Sequence, residues 1–365
     1  MKKIAFLSYD FRIGGAEKAE SSLIPEFIKM GYAVDLVLLQ NSGPLLQTLD
    51  ERVRVISLNK NHVSQAVPVL AAYLRRRKPD VFISSQTHLN VLAVLAREFS
   101  LWKKFRLILT ETNNISLNDA AKGGRDKMLV DCARFFYPRA DSVIIVSEGA
   151  AAEMIRVLKI NPEKVHVIYN PLCLPEIQKS ASEGSGEPWL ETKICPVLLA
   201  VGRLVPQKNF SFLLDVFAQV RKEKDCRLMI LGEGEERAAL QQKAERLGLA
   251  DSIRMPGAVL NPYACLSRSD LMLCTSLYEG FNIAIAESLA CGTPVISLDC
   301  PYGPREILEN GKYGTLIPMG DQMGMADAIL SQLDQPVFTR SLLQSRAEDF
   351  SAVKIAQEYQ NLIEK

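Results

Sequence analysis

The chain alternates short apolar runs with longer segments in which apolar residues recur every three or four positions. Runs such as 3–8 (KIAFLS), 33–39 (AVDLVLL) and 80–84 (DVFIS) are typical of strands buried on both faces. Further runs of this kind are 106–110, 142–146, 196–201, 227–231, 252–256, 270–274 and 294–298. Helical periodicity lies between them, for example at 16–31 and 66–77. This alternation predicts α/β architecture with parallel sheets covered by helices on both faces.

The alternation breaks at residues 170–194, which contain three prolines, two glycines and three serines without a sustained period. Such a segment predicts a linker or an exposed connection. Because strands and helices resume after it, we expect two α/β domains joined near residue 180. The last stretch predicts an amphipathic helix that must dock on one of them. Its apolar positions are Ala352, Ile355, Ala356, Tyr359, Leu362 and Ile363.

Composition places the chain among folded globular proteins. Of its 365 residues 48% are hydrophobic and 23% are charged, and no apolar run reaches the 18 residues of a membrane span. Eight cysteines occur without any CxxC pair, which favours reduced, buried thiols over a zinc or redox site. The short apolar run after Met1 is too brief for a signal peptide, so the cytoplasm is the expected compartment.

The net charge of +1 argues against a dedicated nucleic-acid binder, but it hides an asymmetry. Residues 1–190 carry 25 basic and 20 acidic side chains, whereas the remainder carries 18 and 22. Clusters at 75–78 (RRRK) and 103–106 (KKFR) supply much of the basic excess. Two interpretations stay open for them: solvated helix ends, or attraction to anionic lipid headgroups or an anionic acceptor.

Two loops that follow the first strand of each half carry candidate ligand groups. Gly14 and Gly15 would let the backbone approach a ligand at a helix start that favours an anion, although a tight turn would also use them. Arg203 and Lys208 would lie at the carboxyl edge of a sheet, where a guanidinium and an ammonium suit a diphosphate. Neither loop has the P-loop or the GxGxxG pattern, which disfavours a dinucleotide oxidoreductase.

A segment around 279–292 carries two carboxylates beside a predicted helix that ends at Gly292. Glu279 stands at the mouth of this helix, where the helix dipole alone would favour it. Glu287 is expected about two turns inside, in the apolar run IAIAESLA, where a carboxylate needs hydrogen-bonding partners. Ribose or sugar hydroxyls would supply them, so the pattern favours a nucleotide sugar as ligand.

These motifs together resemble glycosyltransferase family 4. They are E-G-F-x5-E followed by SLACGTPVI, GGAEK near the start and GRL-x3-KN in the second half, and they span the chain from Gly14 to beyond Glu306. The resemblance implies the GT-B fold: two Rossmann-like domains facing across a cleft, with the C-terminal helix crossing back to the first. It implies an acceptor-binding domain at 1–172, completed by 350–365, and a donor-binding domain at 173–349.

The resemblance also assigns roles. Arg203 and Lys208 would neutralise the leaving nucleoside diphosphate and Glu279 would contact the donor sugar, and these three are the catalytic candidates. The donor-binding candidates are Gly14, Gly15, Gly232, Gly234, Phe281, Asn282, Ile283 and Glu287. No metal or other cofactor is expected, because the sequence has no Asp-x-Asp triplet and two cations would do the neutralising.

One position departs from the family pattern. Many members carry a histidine in a Glu-His-Asn context after the fifth strand, and Thr112 stands there in this chain. A threonine cannot act as a general base at neutral pH, but a retaining reaction can pass the acceptor proton to the departing phosphate. The acceptor-side candidates are therefore Glu111, Asn113, Asn114 and His88.

The sequence thus predicts a retaining glycosyltransferase that moves a hexose or N-acetylhexosamine from a nucleotide sugar, foremost a UDP-sugar, to a glycan or lipid-linked saccharide with α-linkage. Two alternatives remain: a nucleotide-sugar epimerase or phosphorylase of the same architecture, and a non-catalytic sugar-nucleotide-binding module. Contact between the first domain and the inner face of an anionic membrane is the further expected interaction, and none with nucleic acid is expected.

Overall fold

The computed structural model describes residues 1–12, 14–112 and 125–365. The chain forms two compact units, of which the first comprises Met1–Pro171 and Ala352–Lys365 and the second Leu172–Ser351. The second unit is therefore inserted into the chain of the first, ahead of its last helix.

The first unit is built on a parallel sheet with the strand order β3-β2-β1-β4-β5-β6-β7. The strands are β1 Lys3–Ser8, β2 Ala33–Leu38, β3 Arg54–Ser57, β4 Val81–Ser85, β5 Arg106–Glu111, β6 Ser142–Ile145 and β7 Val165–Val167. Its helices among the described residues are α1 Gly15–Lys29, α2 Val63–Arg77, α3 Thr87–Ser100, α4 Arg125–Phe136, α5 Glu148–Leu158 and the C-terminal α15 Ala352–Glu364.

Helix α15 docks on the first unit, as the family resemblance implies; its amphipathic pattern had left open which unit it would join. Ile355 and Ala356 are fully buried in the core of that unit. The Tyr359 ring lies edge-on to Phe27 of α1, with 6.2 Å between ring centres. The Tyr359 hydroxyl approaches the hydroxyl of Thr110 at the end of β5, at 3.5 Å.

The second unit repeats the design with the strand order β10-β9-β8-β11-β12-β13. The strands are β8 Val197–Val201, β9 Arg227–Leu231, β10 Ile253–Gly257, β11 Leu271–Cys274, β12 Val295–Leu298 and β13 Thr315–Ile317. The helices are α6 Leu174–Ser182, α7 Pro188–Glu191, α8 Phe210–Glu223, α9 Arg237–Arg246, α10 Pro262–Arg268, α11 Ile283–Cys291, α12 Pro304–Ile307, α13 Gln322–Asp334 and α14 Arg340–Ala347.

The predicted linker at 170–194 is wrong. That segment forms α6 and α7, and its side chains Leu174, Ile177 and Leu190 are buried in the second unit. Two of the three prolines that suggested a loop, Pro175 and Pro188, stand in the first turns of these helices, where a missing N–H costs nothing.

Each sheet has a topological switch point. In the first unit the chain order turns between β1 and β4, and in the second between β8 and β11. In open α/β sheets the crevice at the carboxyl ends of such a strand pair is the usual place for a ligand. The candidate residues can therefore be judged by their distance from these two crevices.

Candidate functional site

Two loops meet across the switch point of the second unit, one following β8 and one following β11. The Gln207 side chain donates to the Tyr278 carbonyl at 2.9 Å, and the Leu277 N–H donates to the Gln207 carbonyl at 2.8 Å. The Thr275 hydroxyl donates to the Lys208 carbonyl at 2.9 Å. These bonds fix both loops, and with them the side chains that face the crevice.

Lys208 and Glu279 form a buried ion pair in this crevice. The Lys208 Nζ lies 2.5 Å from the Glu279 Oε1, and the two side chains are 15% and 8% exposed. The same oxygen accepts from the Ser276 hydroxyl at 2.6 Å and from the Asn282 amide at 3.1 Å. Burial disfavours the charged lysine, but the Glu279 carboxylate outweighs it and raises the pKa of Lys208. The Lys208 ammonium is thus kept charged and is fixed against Glu279.

Arg203 offers a second cation of different character. Its side chain is exposed, and within the described ranges it forms no salt bridge. It lies close to Tyr278 and Lys208, and its positive charge acts to lower the pKa of both groups. An anion can therefore be bound by Arg203 without breaking an existing pair, whereas Lys208 must be shared with Glu279.

Gly232 and Gly234 let the loop after β9 lie directly against the loop after β8. A Cβ on Gly232 would stand 1.9 Å from the Gly202 carbonyl oxygen, and one on Gly234 would stand 2.2 Å from that of Leu204. The Leu204 N–H donates to the Glu233 carbonyl at 2.8 Å, which closes the contact. Both glycines are required by backbone packing beside Arg203, whether or not they also touch a ligand.

The helix α11 starts at Ile283, directly after Asn282 in a left-handed conformation with φ of 66°. The Phe281 side chain is 2% exposed and packs edge-on against Phe350 at 5.3 Å. Phe281 can therefore offer a ligand only its backbone. The first turn of α11 faces the crevice with amide groups that no helix carbonyl can satisfy, which suits an anion or a sugar oxygen.

Glu287 lies about one turn inside α11 rather than the expected two, because the helix begins four residues before it. It is 3% exposed, and its Oε1 accepts from the Tyr263 hydroxyl of α10 at 2.9 Å. Burial together with the Glu287 carboxylate raises the pKa of Tyr263 well above its ordinary value. The predicted C-cap at Gly292 is confirmed, with φ of 73°.

The switch point of the first unit holds an open depression at the ends of β1 and β4. It is lined by Tyr9, Asp10, Arg12, Gly14, Glu17, Gln86 and His88. The Gln86 amide donates to the Glu17 carboxylate at 3.0 Å, while its own backbone is strained at φ of 77°. Strained backbone at an open crevice is typical of functional sites.

His88 and Glu17 share this depression. The His88 ring lies edge-on to Tyr9 with centres 6.2 Å apart, and burial lowers the pKa of His88, so its imidazole is neutral at pH 7. Burial raises the pKa of Glu17. The depression thus offers a neutral imidazole and two carboxylates, a set of groups suited to sugar hydroxyls.

Glu111, another acceptor-side candidate, is not among the residues that line this depression, although its partner Thr87 stands between Gln86 and His88. Glu111 is 1% exposed and accepts from the Thr87 hydroxyl at 2.8 Å and the Tyr137 hydroxyl at 2.7 Å, so its carboxylate holds the end of β5 in place. A direct acceptor contact by Glu111 stays a prediction. Asn113 and Asn114 lie outside the described residues.

Sequence reasoning missed several polar side chains of the two crevices, among them Ser276, Tyr263, Glu17 and Gln86. Ser276 stands three residues before Glu279 and Glu17 three residues after Gly14, so both were within reach of the motifs. Tyr263 and Gln86 had no local signal, because their partners come from distant segments.

Two kinds of feature are absent from the described ranges. No group of three His, Cys, Asp or Glu side chains in them is placed to hold a metal ion. In that part of the chain no helix has the length and apolar character needed to cross a bilayer.

Comparison with known families divides the chain in two. Residues 13–174 match the family described as Glycosyltransferase Family 4, and residues 195–335 match the one described as Glycosyl transferases group 1. A Campylobacter jejuni protein is 25% identical over 98% of both chains; it is named N-acetylgalactosamine-N,N'-diacetylbacillosaminyl-diphospho-undecaprenol 4-alpha-N-acetylgalactosaminyltransferase. The amylovoran biosynthesis glycosyltransferase AmsD of Erwinia amylovora is 28% identical over 82% of this chain and 81% of its own.

A solved structure has the same architecture. HepE of Anabaena, in complex with UDP and glucose, superimposes with a TM-score of 0.82 over 100% of both chains at 21% sequence identity. At this level of identity the likeness establishes the fold, and it confirms the two parallel-sheet domains that the sequence predicts.

Proposed function

The chain belongs to glycosyltransferase family 4 and has the GT-B fold, and from this we propose that it transfers a hexose or N-acetylhexosamine from a nucleotide sugar to a glycan or lipid-linked saccharide. We further propose that the donor is a UDP-sugar and that the new linkage is α. The names of relatives support both details: one is an alpha-N-acetylgalactosaminyltransferase, another an alpha-N-acetylglucosaminyltransferase, and HepE was solved with UDP.

The observation that carries the proposal is the Lys208–Glu279 pair beside the exposed Arg203 at the switch point of the second unit. Arg203 would fork two oxygens of the donor diphosphate, and Lys208 would add a point charge as it is shared between phosphate and Glu279. Glu279 keeps two neutral donors, Ser276 and Asn282, so it stays oriented while it accepts from a hydroxyl of the donor sugar.

In the reaction the bond between the anomeric carbon and the diphosphate oxygen breaks, and the nucleoside diphosphate leaves with the electron pair. The acceptor hydroxyl attacks the same face of the sugar, and its proton passes to an oxygen of the departing phosphate. Arg203, Lys208 and the amides of the first turn of α11 stabilise the charge that develops there. Such stabilisation of developing charge accounts for much of the rate enhancement in many enzymes. We propose that these cations do so without a divalent ion.

The depression of the first unit is our proposed acceptor site. Asp10 and Glu17 can accept hydrogen bonds from saccharide hydroxyls, and the neutral His88 can accept or donate one. His88 would orient the acceptor in place of the histidine that Thr112 replaces. Lipid-linked and polysaccharide acceptors are suggested by the names of the Campylobacter and Erwinia relatives.

The test begins with thermal unfolding in the presence of UDP, GDP, ADP and their common sugars, since a ligand of the native state raises Tm. We expect a UDP-sugar to raise it most. Transfer is then measured with that donor and lipid-linked saccharides, with and without EDTA. Release of an epimer or free sugar without a glycoside would favour the epimerase or phosphorylase, and no Tm shift with any nucleotide would overturn the proposal.

A further inference from the structure

The two basic clusters noted in the sequence come together at one edge of the first unit. Helices α2 and α3 run antiparallel to the strands they connect, so their C-terminal ends lie at the amino edge of the sheet. There the Lys78 ammonium lies 4.9 Å from the centre of the Trp102 ring. Lys3 at the start of β1 joins them, since its Nζ donates to the Arg77 carbonyl at 2.6 Å.

Most of the positive charge at this edge is uncompensated. Arg75, Arg76, Lys78 and Lys104 are all exposed, and none forms a salt bridge with a residue that the structure describes. The nearby acids are already engaged. Glu98 pairs with Lys103 at 2.6 Å, Asp141 pairs with Arg97 at 2.9 Å and Asp80 accepts from the Lys3 N–H at 2.7 Å.

Large apolar side chains project from the same edge. Phe99 is 67% exposed, Leu101 84% and Phe135 59%. Phe135 lies in the last turn of α4, which packs against α3, and the Arg139 guanidinium covers its ring at 3.8 Å. Exposed aromatic and aliphatic groups interleaved with cations are unusual on a surface that faces only water.

The apolar surface continues along α4. A shallow groove on this helix is lined by Lys127, Met128, Asp131, Cys132, Phe135 and Phe136, and Met128 is 62% exposed. Because α4 also runs antiparallel to the strands, its Phe135 end lies at the amino edge and its Arg125 end at the carboxyl edge, where the acceptor depression opens.

We propose that this basic-apolar face is a docking surface for an anionic lipid bilayer. We define the face by the residues Arg75, Arg76, Lys78, Phe99, Leu101, Lys104, Met128 and Phe135. Anionic headgroups compensate the four cations, and the interfacial region accepts aromatic and aliphatic side chains. An acidic protein or polymer would satisfy the cations but leave Phe99 and Leu101 in water. The inference deepens the proposed function, since it places the first unit on the surface that carries a lipid-linked acceptor.

The test uses the full chain and sedimentation with vesicles, either of phosphatidylcholine alone or of an equimolar mixture with phosphatidylglycerol. We expect binding to the mixed vesicles only, weakened by salt. The double variant R75Q/R76Q should lower the partition coefficient about 30-fold, at about a fivefold loss per basic residue. The matched control K222Q/R246Q removes two cations from the last turns of α8 and α9 in the second unit and should leave binding unchanged.

The apolar part of the face is tested separately. F99S/L101S should lower binding to mixed vesicles at least about 10-fold while the salt dependence remains. In a W189F background Trp102 is the sole indole, and its emission should shift to the blue when mixed vesicles are added.

Each outcome decides the inference. Equal losses in R75Q/R76Q and K222Q/R246Q, or no binding by the unchanged protein, would overturn it. Binding insensitive to F99S/L101S would show that charge alone holds the protein on the vesicles, as on any acidic surface, and would overturn it as well. The Tm shift caused by UDP is recorded for every variant. A protein that binds vesicles but neither binds nucleotide nor transfers sugar would overturn the proposed function alone.

Discussion

Lys208 and Glu279 are 71 residues apart in the sequence, yet their Nζ and Oε1 atoms lie 2.5 Å apart at the carboxyl edge of the second sheet. The contact joins the two loops that bracket the switch point between β8 and β11. It concentrates one positive and one negative side chain where a charged ligand is expected. Changes to either side chain should therefore affect both activity and stability.

Lys208→Ala should lower kcat by about 100- to 1,000-fold, because it removes charge stabilisation of the leaving group. The control is Lys243→Ala, which breaks a comparable pair with Asp215 on α8, outside the crevice. Initial rates at saturating donor measure both. Near-normal turnover of Lys208→Ala would contradict its role at the diphosphate.

The stability of the same pair should be non-additive. Lys208→Ala leaves the buried Glu279 carboxylate without its cation, and breaking a buried pair costs about 3–5 kcal/mol. Replacing the carboxylate as well, in Lys208→Ala/Glu279→Gln, should recover much of that stability but none of the activity. Urea unfolding of the single and double variants measures the coupling, and simple addition of the two losses would show that the pair is not structurally linked.

Gly15 and Gly232 should respond differently to alanine. A Cβ on Gly15 would meet no atom within 4 Å, so Gly15→Ala should leave stability nearly unchanged. If the KM for the donor nevertheless rises strongly in Gly15→Ala, a ligand must approach the backbone at this position. Gly232→Ala should destabilise the second unit by about 2 kcal/mol or more, because its Cβ would overlap the Gly202 carbonyl. Urea unfolding and donor KM distinguish the two cases, and equal destabilisation by both substitutions would contradict them.

Glu20 should make the first unit less stable as the pH rises. It is 4% exposed on α1, and burial raises its pKa to about 7, against hydrogen bonds from Ser8 and Ser85. Its ordinary pKa is 4.5, so the native state holds the proton more tightly than the unfolded chain. The protonated Glu20 therefore contributes to the free energy of unfolding, and this contribution is complete below pH 4.5. It is lost as the pH rises to 7, which lowers the free energy of unfolding by about 3 kcal/mol.

Glu20→Gln should therefore flatten this dependence and stabilise the first unit at pH 8 relative to the unchanged protein. Urea unfolding followed by Trp102 in a W189F background reports on that unit, since Trp189 belongs to the second. The exposed Glu51→Gln is the control. A stability difference that is the same at pH 5 and pH 8 would show that Glu20 does not titrate in this range.

Much of the fold was predictable because parallel strands buried on both faces appear as continuous apolar runs. Strand β3 was not predicted, because its first two positions are exposed and no apolar run marks it. Helix α6 was not predicted, because its early proline suggested a loop, although Leu174 and Ile177 make it part of the core. In the second unit the motifs indicated Arg203, Lys208, Glu279 and Glu287, whereas the Glu17 carboxylate of the first unit was missed. They could not predict that Glu287 is paired by Tyr263, because that contact depends on how α10 packs against α11.

The position of α15 in the first unit bears on how the protein is made. Tyr359 and Ile355 complete a core that begins with Ile4 and Phe27, and the whole second unit is synthesised between these two sets of residues. During synthesis on the ribosome the first unit therefore cannot complete its core until α15 has been made. Until then the surface of α1 that α15 will cover stays exposed to water. The second unit can already fold at that stage. A chain that stopped before residue 352 would be damaged in the half that was translated first.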